Sequence, residues 1–207
     1  MKEDKREQQK PKLDILISID VESDGPIPFD FSMLSFGSVA INGQTGEILD
    51  KFYANLFPLP DAKENRGTMK WWATQPEAWE ACHVNQEDPK AAMERYIEWC
   101  ANLKEKYYAR LSTAGWPESF DFAFLHWYLI HFCGYDPTGF SALDIRSLGM
   151  GVFNCHRKSV SKRRVKALCR KNGREVPKHT HNALDDALEQ AILLVGLLVK
   201  AGIIESK

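Results

Sequence analysis

Residues 15–26 read ILISIDVESDGP, and this stretch constrains the chain more than any other. Isoleucines and valine in close succession, ended by a Ser-Asp-Gly-Pro turn, are the pattern of a buried strand. Yet the strand finishes on two carboxylates, Asp20 and Glu22. Alternate side chains of an extended strand share a face, so both acids point the same way, roughly 7 Å apart. At an effective dielectric near 20 their repulsion is on the order of 2 kcal/mol. A pair of this kind at the end of a central strand calls for a compensating positive charge, and a metal cation is the candidate.

The chain has 207 residues, enough for one α/β domain with a full core and too few for a second of similar size. With 27 basic and 28 acidic residues, bulk charge says nothing about partners, but its distribution does. Residues 157–178 hold ten Lys or Arg and the single acid Glu175, leaving 17 basic and 27 acidic residues elsewhere. Cys82, Cys100, Cys133, Cys155 and Cys169 are widely spaced without a CxxC. They fit reduced thiols in a cytoplasmic protein better than a disulfide frame or a zinc site built on Cys155 and His156. Residues 1–12 are charged and polar with no apolar core and read as a disordered leader before a single domain over 13–207. The longest apolar run, AILLVGLLVKAGII, contains Lys200 and is too short to span a bilayer.

Strands are expected over 13–21, 34–41 and, after the turn NGQTGE, 48–55, so the chain opens as an antiparallel meander. A tryptophan-rich segment follows. Asp88 with Pro89 then starts a helix whose Met93, Tyr96, Ile97, Cys100 and Leu103 form the 3.6-residue stripe of a helix packed on a sheet. A weak strand near 109–114 precedes the helix FDFAFLHWYLIHFC, closed by Gly134. FSALDI (140–145) is a short strand, SVSKRRVKALCRKN a basic amphipathic helix ending at Gly173, and ALDDALEQAILLVGLLVK the last helix. Meander first, helices and parallel strands after, is the order of an α/β fold with a mixed central sheet flanked by helices.

Two further groups of acids are unusual. Asp121 heads the stripe Leu125, Tyr128, Leu129, Phe132 of its helix, where a carboxylate is costly unless paired or coordinated. The alternative is an N-cap. In HTHNALDDALEQA, His179 and His181 precede Asp185 and Asp186 at a helix start, where acids are favoured by the helix dipole. The helical wheel does not choose between the two aspartates.

Taken together, IDVES (Asp20, Glu22), SFDFAFL (Asp121) and HNALDDA (His181, Asp186) resemble, in order and over residues 19–187, the motifs of the DEDDh 3′-5′ exonucleases. This superfamily includes RNase T, oligoribonuclease and the proofreading subunit of bacterial DNA polymerase III. TMKWWATQPEA, SFDFAFL and LDIRS look like its phage exodeoxyribonuclease A branch. The resemblance implies an RNase H-like fold, and its His-x-Ala-x-x-Asp pattern selects His181 over His179 and Asp186 over Asp185. It further implies two divalent ions held by Asp20, Glu22, Asp121 and Asp186. Oxygen ligands suit Mg²⁺ or Mn²⁺, and His181 would be the general base for water. The expected reaction releases nucleoside 5′-monophosphates from the 3′ end of single-stranded RNA or DNA. A catalytically silent nucleic-acid-binding module is the alternative, and a homodimer is compatible with the resemblance.

Around this centre, Ser23 lies where the family places its terminal nucleotide. Met33, Leu34 and Phe36 offer either an apolar wall for it or ordinary strand packing. Lys162, Arg163 and Arg164, in the basic helix, are candidates for a phosphate rail, against the alternative of a solvated face. Trp71, Trp72 and Trp79 either stack on bases or anchor a helix to the core. Asp144 closes a strand nearby and either orients a ligand or caps a turn.

Overall fold

The computed structural model describes residues 12–205; the leader expected over 1–12 lies almost wholly outside them. The sheet is built around β1 (Leu13–Ser23), which pairs antiparallel with β2 (Met33–Asn42) and parallel with β4 (Ala109–Gly115). β3 (Ile48–Asn55) and β5 (Ala142–Asp144) form the edges, giving the order β3-β2-β1-β4-β5. β1 has a helix layer on each side, so its alternation sorts two kinds of contact. Ile15, Ile17, Ile19 and Val21 are buried with Met93, Tyr96, Phe124, Leu125 and Tyr128. Those partners come from α3 (Pro89–Tyr107) and α4 (Glu118–Cys133). The other face of β1 meets α7 (Ala183–Lys200), where Ser18 Oγ donates to the Ala187 carbonyl at 2.9 Å. Val39 and Ile41 of β2 join Ala187, Ala191 and Leu194 in the core on that side.

The helices start and stop where their sequence chemistry directs. Asp88 caps α3 by accepting from the Ala91 N–H, with Pro89 at its first position. Gly134, at φ +80°, ends α4 in the left-handed conformation that glycine adopts without strain. Ser161 caps the basic helix α6 (Lys162–Lys171) and Asn182 caps α7. The tryptophan-rich segment forms two short helices, α1 (Arg66–Trp72) and α2 (Pro76–Cys82).

The strand expected over 140–145 is shorter than its apolar run, because Asp144 accepts the Ser147 N–H at 2.6 Å and starts α5 (Ile145–Phe153) there. Asp144 is therefore a helix cap, the second of its two readings. All five cysteines are free. Among the described residues no helix is long and apolar enough to cross a membrane.

Candidate active site

β1 is longer than its parallel neighbour. Its pairing with β4 ends at Ser18↔Ala114, while its pairing with β2 continues through Asp20↔Gly37 and Glu22↔Ser35 to a register shift at Ser23. The two acids thus stand on a part of the central strand that has lost one neighbour, facing α7. Gly37 decides how near α7 can come. A Cβ there would lie 2.3 Å from the Ala183 carbonyl oxygen, so only glycine opposite Asp20 lets the start of α7 rest on the sheet. Asp186, in the first turn of α7 and fully buried, is delivered to the acids as a result. One carboxylate oxygen from each of Asp20, Glu22 and Asp186 lies within 4.8 Å of the others. One turn along α7, Gln190 donates to Asp20 Oδ1 at 2.6 Å and fixes that carboxylate.

Asp121 approaches from the other helix layer. The cap of α4 is Pro117, so Asp121 is not an N-cap. Its Oδ1 accepts the Val21 N–H at 3.2 Å, the backbone group between Asp20 and Glu22, beyond the point where β4 leaves the strand. Its Oδ2 is buried without a partner. Such an atom costs on the order of 1–3 kcal/mol unless something donates or coordinates to it.

Burial pushes the Asp20 carboxyl well above its usual range, and Asp121 and Asp186 push it further. Glu22 is raised by burial and then by Asp20 and Asp186, and Asp121 by burial and by Glu22. Three carboxyls displaced upward by one another, with an orphaned buried oxygen among them, are the donor set that a divalent cation neutralises. All the ligand atoms are oxygens, which fits Mg²⁺ or Mn²⁺.

The loop before α7 is folded around Asp186. Its Oδ1 accepts the Thr180 N–H at 2.9 Å, and its Oδ2 accepts the His181 N–H at 3.0 Å and lies 2.8 Å from His179 Nδ1. These bonds hold His181 at φ +58°, a strained conformation for a non-glycine residue. Burial lowers the His181 pKa, and the neighbouring His179 lowers it further. The His181 ring stands edge-on to Trp71, with centroids 4.9 Å apart.

The sequence of residues 16–197 matches the family described as the 3′-5′ exoribonuclease Rv2179c-like domain. The chain belongs to this family. It is a 3′-5′ exonuclease, and among curated relatives of this exonuclease is the 3′-5′ DNA exonuclease Cap18 of Escherichia coli. The two are 34% identical over 144 residues, which span 67% of this chain and 70% of Cap18. Among solved structures, the nuclease domain of 3′hExo, a DEDDh family member bound to rAMP, superposes with a TM-score of 0.67 at 16% identity, covering 93% of this chain and 95% of that one. Pop2p of S. pombe, in a form with Mg²⁺ and Mn²⁺ bound, gives 0.61 at 15% identity over 89% and 82%. At such identities these two establish the shared RNase H-like fold.

The surrounding residues of this exonuclease are distributed less simply. Ser23 is buried, its hydroxyl donating to the Gly25 carbonyl at 2.7 Å. The structure does not bring Phe36 to the acids. Its ring is fully buried between Phe52 and Tyr96 on the opposite face of the sheet, because Phe36 pairs with Val21 and shares its direction. Met33 is likewise core, and Leu34 packs with Trp72 and Cys82. Trp72 is an anchor, its indole N–H donating to the Ser23 carbonyl at 2.9 Å, while Trp71 is 38% exposed. Trp79 packs on Trp72 and His83.

In the basic helix, the Lys162 ammonium lies 2.7 Å from the buried Glu189, which Lys166 also contacts. Arg164 stacks on Phe153, and Arg163 is exposed. His179 was weighed from sequence and set aside for His181, and three residues around the site were not singled out there: Gly37, Glu189 and Gln190. The last two stand at +3 and +4 from Asp186, a polar stripe on an otherwise apolar helix, and that spacing was the available signal. Gly37 had no such signal, since its importance comes from a contact across 146 residues of sequence.

Proposed function

We propose that this exonuclease hydrolyses single-stranded nucleic acid one nucleotide at a time from a 3′-hydroxyl end, releasing nucleoside 5′-monophosphates. The observation that carries the proposal is the convergence of Asp20, Glu22 and Asp186 within 4.8 Å of one another, with His181 five residues before Asp186 in a loop that Asp186 itself holds. Asp20, Glu22 and Asp186 would hold one divalent ion, with Asp20 shared by a second ion that Asp121 helps to position. Bound there, such ions supply Lewis acidity and neutralise charge at a phosphodiester. Gln190 fixes the Asp20 carboxylate, and the Val21 N–H fixes that of Asp121.

His181 is the general base. Its lowered pKa keeps the imidazole neutral near pH 7, so it can take the proton from the attacking water. The bond that breaks joins phosphorus to the 3′ oxygen of the penultimate nucleotide, and the phosphate stays on the 5′ carbon of the released one. Arg163 and its neighbours on the basic helix offer the incoming strand a cationic face.

The family description names an exoribonuclease and the curated relative is a DNA exonuclease, so both polymers belong in the test. Purified protein is incubated with 5′-labelled single-stranded RNA and DNA and with Mg²⁺ or Mn²⁺, beside Asp20→Ala. A ladder shortening by single nucleotides, absent with Asp20→Ala, is expected. Binding without shortening would leave a catalytically silent module.

A further inference from the structure

Asp186 belongs to two clusters of ligand atoms. One is the oxygen set of Asp20, Glu22 and Asp186; the other is His179, His181 and Asp186, whose ligand atoms also lie within 4.8 Å of one another. We propose that His179, His181 and Asp186 form a second cation site, selective for a transition ion of the Zn²⁺ or Co²⁺ class, whose filling silences the exonuclease. The inhibitory half of this inference rests on the hydrolytic reading above; the binding half does not.

Donor chemistry separates the two clusters. A site of carboxylates alone suits Mg²⁺ and Mn²⁺, whereas two imidazoles and one carboxylate suit zinc and its neighbours, which take nitrogen ligands readily. Three protein ligands with a position left open is also a common zinc arrangement. The ligands are already gathered. Asp186 accepts the backbone N–H groups of Thr180 and His181, which fixes the loop carrying both histidines, and the two rings lie 4.4 Å apart at 77°. His179 Nδ1 is 2.8 Å from Asp186 Oδ2 and 3.4 Å from the buried Glu189 Oε2, so an ion seated between the ring and Asp186 takes the place of the proton that this nitrogen shares with the carboxylates. The Glu189 charge is in turn matched by Lys162 and Lys166. The His179 side chain is 41% exposed, so an ion reaches it from solvent.

Competition follows from the shared residues. An ion on the histidine cluster takes the Asp186 carboxylate away from the oxygen cluster and occupies the His181 ring that would accept a proton. Excess Mg²⁺ should therefore relieve the inhibition.

The test uses the full chain without nucleic acid, in Mg²⁺ too dilute to compete for Asp186. Zn²⁺ binding is measured by calorimetry, and Co²⁺ serves as a spectroscopic probe through its visible ligand-field bands. His179→Ala is expected to weaken Zn²⁺ binding by more than about tenfold and to remove the Co²⁺ bands, with His179→Gln behaving alike; Asp20→Asn should retain both. In the hydrolysis assay, Zn²⁺ should inhibit the wild type, and His179→Ala should raise the inhibitory concentration by the same factor. Unchanged Zn²⁺ binding in His179→Ala, loss of binding on Asp20→Asn, or no binding above the Mg²⁺ background would each overturn the site. A wild type that binds Zn²⁺ through His179 yet never hydrolyses nucleic acid would overturn the inhibitory half and the hydrolytic reading, while upholding the site.

Discussion

Asp20 is 9% exposed and sits beside Asp121 and Asp186, with burial and both neighbours disfavouring its ionised form. Removing its charge should therefore act in opposite directions on folding and on hydrolysis. In chelator, Asp20→Asn is expected to raise stability by about 1–2 kcal/mol, or Tm by a few degrees for a chain of this size. With Mg²⁺ present it should abolish shortening of the strand. A scanning calorimeter and a labelled oligonucleotide read the two effects, and an Asp20→Asn protein less stable than the wild type in chelator would show that the acids do not repel one another. His181→Ala isolates the other role. Loss of a general base is expected to lower kcat about 10²–10⁴-fold with KM little changed, and wild-type turnover would remove the base assignment.

The junction between β2 and α7 positions the site at the level of elements. Gly37→Ala places a methyl group 2.3 Å from the Ala183 carbonyl, so the start of α7 must lift. The expected cost is about 1–3 kcal/mol, together with weaker Mn²⁺ binding because Asp186 moves with the helix. Denaturant melts and a Mn²⁺ titration read both. Between α6 and α7, burial alone would raise the Glu189 pKa, but hydrogen bonds from His179, Lys162 and Lys166 bring it down to about 2 from the usual 4.5. A lowered carboxyl pKa stabilises the fold fully above about pH 4.5, and that stabilisation is lost as pH falls through about 2. The shift corresponds to about 3 kcal/mol. Glu189→Gln should lose this amount at neutral pH and flatten acid unfolding between pH 4.5 and 2; an unchanged acid titration would show that the lysines do not hold the helix. These elements were readable from sequence in unequal measure. The three meander strands, the caps at Asp88 and Gly134 and the limits of α7 follow from local chemistry, and the structure has them there. The early stop of β5 turned on whether Asp144 ended a strand or began a helix, and that depended on a side chain folding back to Ser147.

Across the whole molecule, basic residues concentrate in 157–178, next to the acids proposed to hold cations. Single-strand binding should weaken steeply with salt, and reversing Arg163 to Glu should reduce the slope of log affinity against log salt by about 0.7; affinity independent of salt would remove the cationic face from the account. The convergence of Asp20, Glu22 and Asp186 was legible only as a set, since each acid alone had an ordinary explanation at a strand end or helix start. What the sequence left open was long-range: which side of the sheet Phe36 faces, and that Gln190 and Glu189 brace the site from within α7. If these carboxylates share cations, anomalous diffraction from crystals grown with Mn²⁺ will locate the ions. Mn²⁺ peaks are expected within bonding distance of Asp20, Glu22 and Asp186, and their loss in Asp20→Asn; Mn²⁺ bound elsewhere, with no peak among these three side chains, would show that the acids do not hold the metal.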